Sequence, residues 1–507
     1  MSTRHQRSTQ DLLATFGASP TSPPSSPQPQ QRARQERRER LNQPRAPRCG
    51  RAERGAGWAP VEAPLAVYQA STADIGGLFP LLASEPMPAV GARMGYDPLS
   101  GGAFHFHPIE LVLRNWCTNP NLIVFGEPGT GKSSTVAAFL LRMMVFGVRT
   151  LISGDVKGEY SPLVRALGYE PIELGRSRQT RINALDLGPL SSHWESWTVT
   201  RQREELDGLL GRWVTLLSAL AEAQGHRCTV TDEAVLSQVL RQLVGATDGT
   251  TRLRPTTIVD VHAELADPAP TLVREMRFGS RGQFLDHFRS ITDALGNLIV
   301  GPLAGLFDGP TTVAVDWNAP IQSMDLSRIR ESRGDQAIAV ALTCLGSWAA
   351  AATDLRPAGE IRIVVRDEVW RPLRLGPRAV AAIDAELRLS RAEQKIPILV
   401  AHKPSDFLAS GAAGSQEVAI TKDLLALCST RVLLGQSTRI ASELADELAL
   451  TDAEEDVTLG WANERKGRAL WKIENHRGIK VQTVLSPTER RVFDTNAQLR
   501  SGTPGRG

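Results

Sequence analysis

The run Gly126-Glu127-Pro128-Gly129-Thr130-Gly131-Lys132-Ser133-Ser134 constrains this chain more than any other stretch. It fits the spacing G-x-x-x-x-G-K-[ST], a loop that cradles phosphate. Its glycines admit backbone angles that a Cβ forbids, so successive N–H groups turn inward on an anion. Lys132 adds a point charge for β- and γ-phosphates, and the Ser133 hydroxyl is a ligand for Mg2+. The flanks agree. Asn121 to Phe125 is a short apolar run that predicts a buried strand. Thr135 to Phe146 predicts a helix with one interior charge, Arg142, and with Gly147 as its C-cap. The phosphates would then lie on a helix N-terminus, where unpaired N–H groups and the helix dipole favour anions. All nine positions, 126–134, are therefore expected to bind a nucleoside triphosphate.

Composition narrows the setting. A chain of 507 residues with 41% hydrophobic content has room for two or three domains. Its five cysteines (49, 117, 228, 344 and 428) are scattered, with no CxxC pair. That argues against a disulfide framework or a zinc site and fits a reducing compartment. His105 and His107 read as a structural pair on one face of a strand. Ala337 to Thr353 is uncharged but short for a membrane span, so it predicts a buried helix. The N-terminus has no secretory h-region. The expected location is the cytoplasm, with any link to the inner face of the membrane made through partners.

Residues 1–60 stand apart as a basic Pro/Arg-rich arm. Residues 1–58 hold 11 Arg against 4 acidic residues, a net of +7, so the rest of the chain carries −4. So few apolar groups cannot form a core, and the arm is expected to be disordered. Its readings are contact with DNA or an acidic membrane surface, or a plain solvated tail. Residues 61–189 alternate strand and helix signals, with strands at Arg149–Asp155 and Tyr169–Leu174. Residues 190–300 carry helical periodicity only: Trp197–Gln224, Asp232–Val244, Ile258–Ala266 and Gly282–Leu298. Strand signals return over 301–497: Pro320–Asp325, Ile361–Arg366, Ile396–Ala401 and Thr430–Gly435. A helix is expected over 376–394, and a hairpin over Arg468–Ile473 and Ile479–Leu485. Residues 498–507 read as a disordered tail. The fold class is α/β, a mostly parallel sheet flanked by helices, with an all-helical insertion.

A phosphate loop does not itself activate water. The strand ending at Arg366 runs into Asp367-Glu368. Asp367 is placed to hold Mg2+, and Glu368 to act as general base on water. Arg366 interrupts the apolar run and predicts a position at the sheet edge or exposed to solvent. The strand ending at Ala401 leads into His402, placed as a polar sensor for the terminal phosphate or as an ordinary loop histidine.

Further segments complete a pattern. They are Gly154-Asp-Val-Lys-Gly-Glu-Tyr160, Arg181-Ile-Asn-Ala-Leu-Asp186, the Gly301–Thr311 stretch and Met324-Asp-Leu-Ser327. Asp367-Glu-Val-Trp370, Pro404-Ser-Asp406 and Asp494-Thr-Asn496 follow. With the loop at 126–134, the chain resembles the conjugative-transfer ATPases of type IV secretion, the TraC-like group of the HerA/FtsK class. The resemblance spans roughly 90 to 496. It implies a RecA-like core, ATP and Mg2+ as cofactors, and assembly into a hexamer or smaller homo-oligomer. It also implies work with inner-membrane components of a secretion channel. The family's Thr-Gln sensor stands here as Ala401-His402. The large N-terminal domain of many members is replaced by the arm and a short lead-in, so a docking half is expected on a separate subunit. An arginine finger from a neighbouring subunit is expected too, with Arg388, Arg391, Arg431 and Arg439 as candidates.

Two other functions compete with the secretion motor. One is a coupling-type ATPase that translocates DNA itself. The other is a nucleotide-dependent scaffold that assembles with little turnover.

Overall fold

The computed structural model describes residues 87–493, except 176–179, 189, 247–252, 302, 314–315, 317–318, 355–358 and 406–422. The arm, residues 61–86, Asp406, Asp494–Asn496 and the tail lie outside the described residues.

Leu122–Phe125 (β3) has four apolar residues in a row because both faces of its sheet are covered. Leu122 and Val124 enter one core, while Ile123 and Phe125 enter the other. Each such burial contributes roughly 1.5–3 kcal/mol. Lys395–Ala401 (β8) splits the same way, with Ile396, Ile398 and Val400 on one side and Leu399 and Ala401 on the other.

These strands sit mid-sheet in an eleven-stranded array of order β2-β1-β11-β10-β9-β3-β8-β7-β4-β6-β5. The remaining members are β1 (Ala92–Tyr96), β2 (Ala103–Phe106), β4 (Arg149–Asp155), β5 (Ile172–Glu173), β6 (Ile321–Asp325) and β7 (Arg362–Arg366). β9 (Thr430–Leu434), β10 (Arg468–Ile473) and β11 (Ile479–Thr483) complete it. From β9 to β5 every pairing is parallel. β10, β11, β1 and β2 extend one edge in antiparallel fashion. The sheet is thus mostly parallel, with the expected hairpin at β10–β11.

After β3 the chain turns through the glycine-rich loop into α1 (Lys132–Met143). A short 3-10 turn follows, ending on Gly147 in the left-handed region. Between β5 and β6 the described residues form helices without a strand, chiefly α2 (Val199–Ala223), α3 (Val230–Leu243), α4 (Ile258–Ala266) and α5 (Arg281–Val300). Thr229 and Thr257 open α3 and α4 with capping boxes. These helices share one apolar core with α6 (Ser327–Asp354): Trp213, Leu217, Val239 and Phe288 meet Ile338 and Leu345. The uncharged 337–353 segment is thus helical, and its residues 337–351 lie mostly buried within the fold. Among the described residues, no helix is long and apolar enough to cross a membrane.

Several expectations are corrected. Arg366 is not at an edge: β7 is paired on both sides, and the guanidinium is largely covered, 2.5 Å from Glu386. Glu386 belongs to α7 (Pro377–Leu389), which ends before 394 because the chain must turn back into β8. His107 is not on the strand with His105. It follows β2 and caps a short helix, its Nδ1 accepting from the Glu110 N–H at 3.4 Å. The strand expected over Tyr169–Leu174 shrinks to Ile172–Glu173, the two residues that pair with β6.

Candidate functional site

The C-terminal ends of β3, β8, β7 and β4 converge, because these neighbours are all parallel. In open α/β sheets that edge is where ligands bind. The loop Gly126–Ser134 leaves β3 there.

Two of its glycines carry backbone angles that favour glycine: Gly129 at φ +85 and Gly131 at φ +100. Gly131 is the N-cap residue of α1, and a Cβ there would lie 3.0 Å from the Gly467 nitrogen. The contact is close because the Gly467 N–H donates to the Thr130 carbonyl at 3.0 Å. Thr130 Oγ1 donates to the Glu127 carbonyl at 2.7 Å. The Glu127 carboxylate accepts the Ser437 N–H at 3.0 Å, at the start of α8 (Thr438–Glu447). Ser134 Oγ donates to the Phe493 carbonyl at 3.4 Å. The loop is therefore fixed by three later parts of the chain.

Lys132 folds back into this loop. Its Nζ donates to the Gly126 carbonyl, to Glu127 O at 3.3 Å and to His402 Nδ1 at 3.1 Å. Burial, then the positive charge of Lys157, lowers its pKa to about 8. An ammonium only donates, so His402 Nδ1 accepts and Nε2 carries the ring proton. That Nε2 lies 3.2 Å from Glu368 Oε1. Loop lysine, histidine and acid thus form one hydrogen-bonded chain.

Asp367 and Glu368 are both buried. Asp367 is pushed up to about 8 by burial, then by the charges of Glu368 and Glu159. Burial would also raise Glu368, but hydrogen bonds from His402 and Lys157 outweigh it and hold the carboxyl below its usual range. Lys157 Nζ is 2.6 Å from Glu368 Oε1, and Trp370 Nε1 donates to Oε2 at 2.6 Å. Environments that push neighbouring carboxyls apart in pKa make one the ionised base. Glu368 itself sits at φ +52, a strained position for a non-glycine residue.

The loop after β4 supplies the rest. The buried Asp155 carboxylate accepts the N–H groups of Glu159 (2.8 Å), Tyr160 (2.8 Å) and Ser161 (3.2 Å). Glu159 in turn accepts the Ser133 hydroxyl. Ser133 and Asp367 are hard oxygen donors of the kind that hold Mg2+, and Asp367, raised first by burial and then by the charges of Glu368 and Glu159, gains most from a nearby cation. Among the described residues no cluster of three or more His, Cys, Asp or Glu forms a metal site by itself.

Every expected site residue from Gly126 to Ser134, with Asp367, Glu368 and His402, lies at this edge of the sheet. Sequence reasoning gave no role to Lys157, Glu159 or Trp370. Each stood within a segment quoted for the family resemblance, and that was the available signal. The arginine candidates diverge. Arg431 is half-buried inside β9. Arg388 pairs with Asp384 at 2.7 Å, and Arg391 donates to the Thr118 carbonyl at 3.4 Å, ahead of β3 and away from the loop. Arg439 is exposed in the first turn of α8, beside the Glu127 contact.

No family model and no curated protein matches the chain. Solved structures do. VirB4 of Thermoanaerobacter pseudethanolicus is similar over 80% of this chain and 99% of that one, at 22% identity and a TM-score of 0.59. The bacterial conjugative coupling protein TrwBdeltaN70 is similar over 81% and 92%, at 13% identity and a TM-score of 0.51. The fold is that of a RecA-like P-loop ATPase.

Proposed function

We propose that the chain is an ATP-hydrolysing motor that energises type IV secretion or conjugative DNA transfer. One observation carries the hydrolytic part: Lys132, His402 and Glu368 are joined by hydrogen bonds across the loop and the β7 acid. In this reading Gly126–Ser134 bind the phosphates of ATP. Lys132 leaves the loop carbonyls for the β- and γ-phosphates. Ser133 and Asp367 hold Mg2+, which when bound neutralises phosphate charge. Glu368, ionised at neutral pH, accepts the proton of the attacking water. His402 ties the position of Lys132 to that of Glu368.

The secretion part is supported by the family-like segments and by the likeness to VirB4. On that reading 61–189 and 301–497 form one ATPase core, interrupted by the 190–300 insertion. The core works as a homo-oligomer, on the scale of a hexamer, at the inner face of the membrane. Channel components and a separate docking subunit hold it there. The deciding experiment is phosphate release by the parent, Lys132→Ala and Glu368→Gln. Turnover that either substitution abolishes supports the motor. Equal background in all three favours the scaffold.

The likeness to a conjugative coupling protein favours a second reading, a motor that pulls DNA itself, with the basic arm touching the strand. It requires ATPase stimulation by DNA and binding that weakens steeply with salt. Neither at moderate salt would exclude it.

A further inference from the structure

We propose that Lys157 is a positioning residue for Glu368: its ammonium, presented from the loop after β4, fixes the carboxylate that activates water. The inference rests on the hydrolytic reading above.

Lys157 is delivered by a rigid device. β4 is the direct neighbour of β7, with Gly154 opposite Arg366 in register. The loop after β4 is wound on the Asp155 carboxylate, which accepts three successive N–H groups. Gly158 makes the turn at φ +70, and a Cβ there would stand 3.2 Å from Asp325 Oδ2. Asp325 is itself engaged, accepting Ser161 Oγ at 2.6 Å and the Ser327 N–H at 2.9 Å. Lys157 therefore projects from a backbone with little freedom, and its Nζ reaches Glu368 Oε1 at 2.6 Å.

Glu368 needs such support. Its backbone occupies the left-handed region at φ +52. A strained residue persists only where its surroundings over-determine it. Here three hydrogen-bond donors do so from three places, with the Arg371 guanidinium farther off, 4.0 Å from Oε2. Lys157 comes from β4 and His402 from β8, both on Oε1, and Trp370 comes from the following turn on Oε2. Of the three, Lys157 makes the shortest contact to Oε1 and carries a full charge. His402 already has a second duty toward Lys132. Lys157 is thus the donor whose loss most frees the base to leave its aim, and misplacement of a base by about 1 Å costs about 10²-fold in rate.

The test compares parent, Lys157→Met and Lys157→Arg for kcat and KM, with Glu368→Gln and the double variant for thermal melting without nucleotide. The expected result is a kcat lowered about 10- to 100-fold in Lys157→Met, KM within about 3-fold of the parent, and most of the loss restored by Lys157→Arg. A raised KM at unchanged kcat would make Lys157 a substrate contact and overturn the proposal. So would an arginine variant no better than methionine. Melting gives a readout independent of turnover. Lys157→Met leaves the buried Glu368 charge short of a partner and lowers the melting temperature. Adding Glu368→Gln removes that charge and recovers part of the loss. Strict additivity of the two substitutions would refute the contact. A parent without turnover that still shows the coupling would sink the hydrolytic reading and keep the Lys157–Glu368 link.

Discussion

Between Gly126 and Ser134, the loop would offer backbone N–H groups and one lysine to an anion and the Ser133 hydroxyl to a cation, all within a single stretch. Opposite it, at the ends of β4, β7 and β8, the offering is side chains only: Lys157, Asp367, Glu368 and His402. The first half depends on which residues lack a Cβ. The second depends on which strands are neighbours. A contiguous loop advertises itself in sequence, while residues 157, 368 and 402 become one cluster only when the sheet order β8-β7-β4 is set.

Substitutions sharpen that contrast. The largest effect is expected from Glu368→Gln, which on the proposed reading removes the base and keeps the shape. Single-turnover kinetics should show chemistry slowed about 10²- to 10⁴-fold with ATP still bound. Failure of this variant to bind nucleotide would break the division into a binding half and a chemical half. Lys132→Ala should act on binding instead, weakening ATP affinity about 10- to 100-fold by titration calorimetry, as loss of a charge-assisted contact does. Gly131→Ala tests the backbone half alone. A Cβ at φ +100, 3.0 Å from the Gly467 nitrogen, should cost about 1–3 kcal/mol and weaken nucleotide binding without touching a charge. An unchanged melting curve would show that the glycine is not required.

The smallest effect concerns pH. Burial, opposed by the Tyr160 N–H and reinforced by Asp325, pushes Asp155 up to about 7. The folded state therefore holds a proton that the unfolded chain has released. The stability this contributes is present below about pH 4 and is lost as pH rises through about 7. Asp155→Asn should flatten this slope of melting temperature against pH, even though the amide loses one acceptor. An unaltered slope would mean that other groups set it.

Legibility varied along the chain for physical reasons. β4 and α4 were predicted over the ranges they occupy, Arg149–Asp155 and Ile258–Ala266, because an apolar run and a regular helical period carry their own boundaries. The strand at Tyr169–Leu174 was over-read because an edge strand's length is set by its partner, and β6 pairs with two residues only. Arg366 was misplaced because its partner, Glu386, lies on a helix that the strand pattern does not reveal. His107 was put on a strand because alternation at 105 and 107 cannot distinguish a strand residue from the cap that ends it. Trp370 and Lys157 carried no individual signal: an indole and an ammonium read as core and surface until Glu368 stands between them.

The sequence by itself determined that a glycine-rich loop with phosphate-binding spacing is present, where its strand and helix lie, and that an acidic pair ends another strand. These follow from local rules of backbone sterics and periodicity. Only the tertiary structure decided that β8 lies between β3 and β7, so that His402 spans Lys132 and Glu368. It also decided that β4 borders β7, so that Lys157 reaches Glu368. Strand order is a global property of packing, and no residue records it alone.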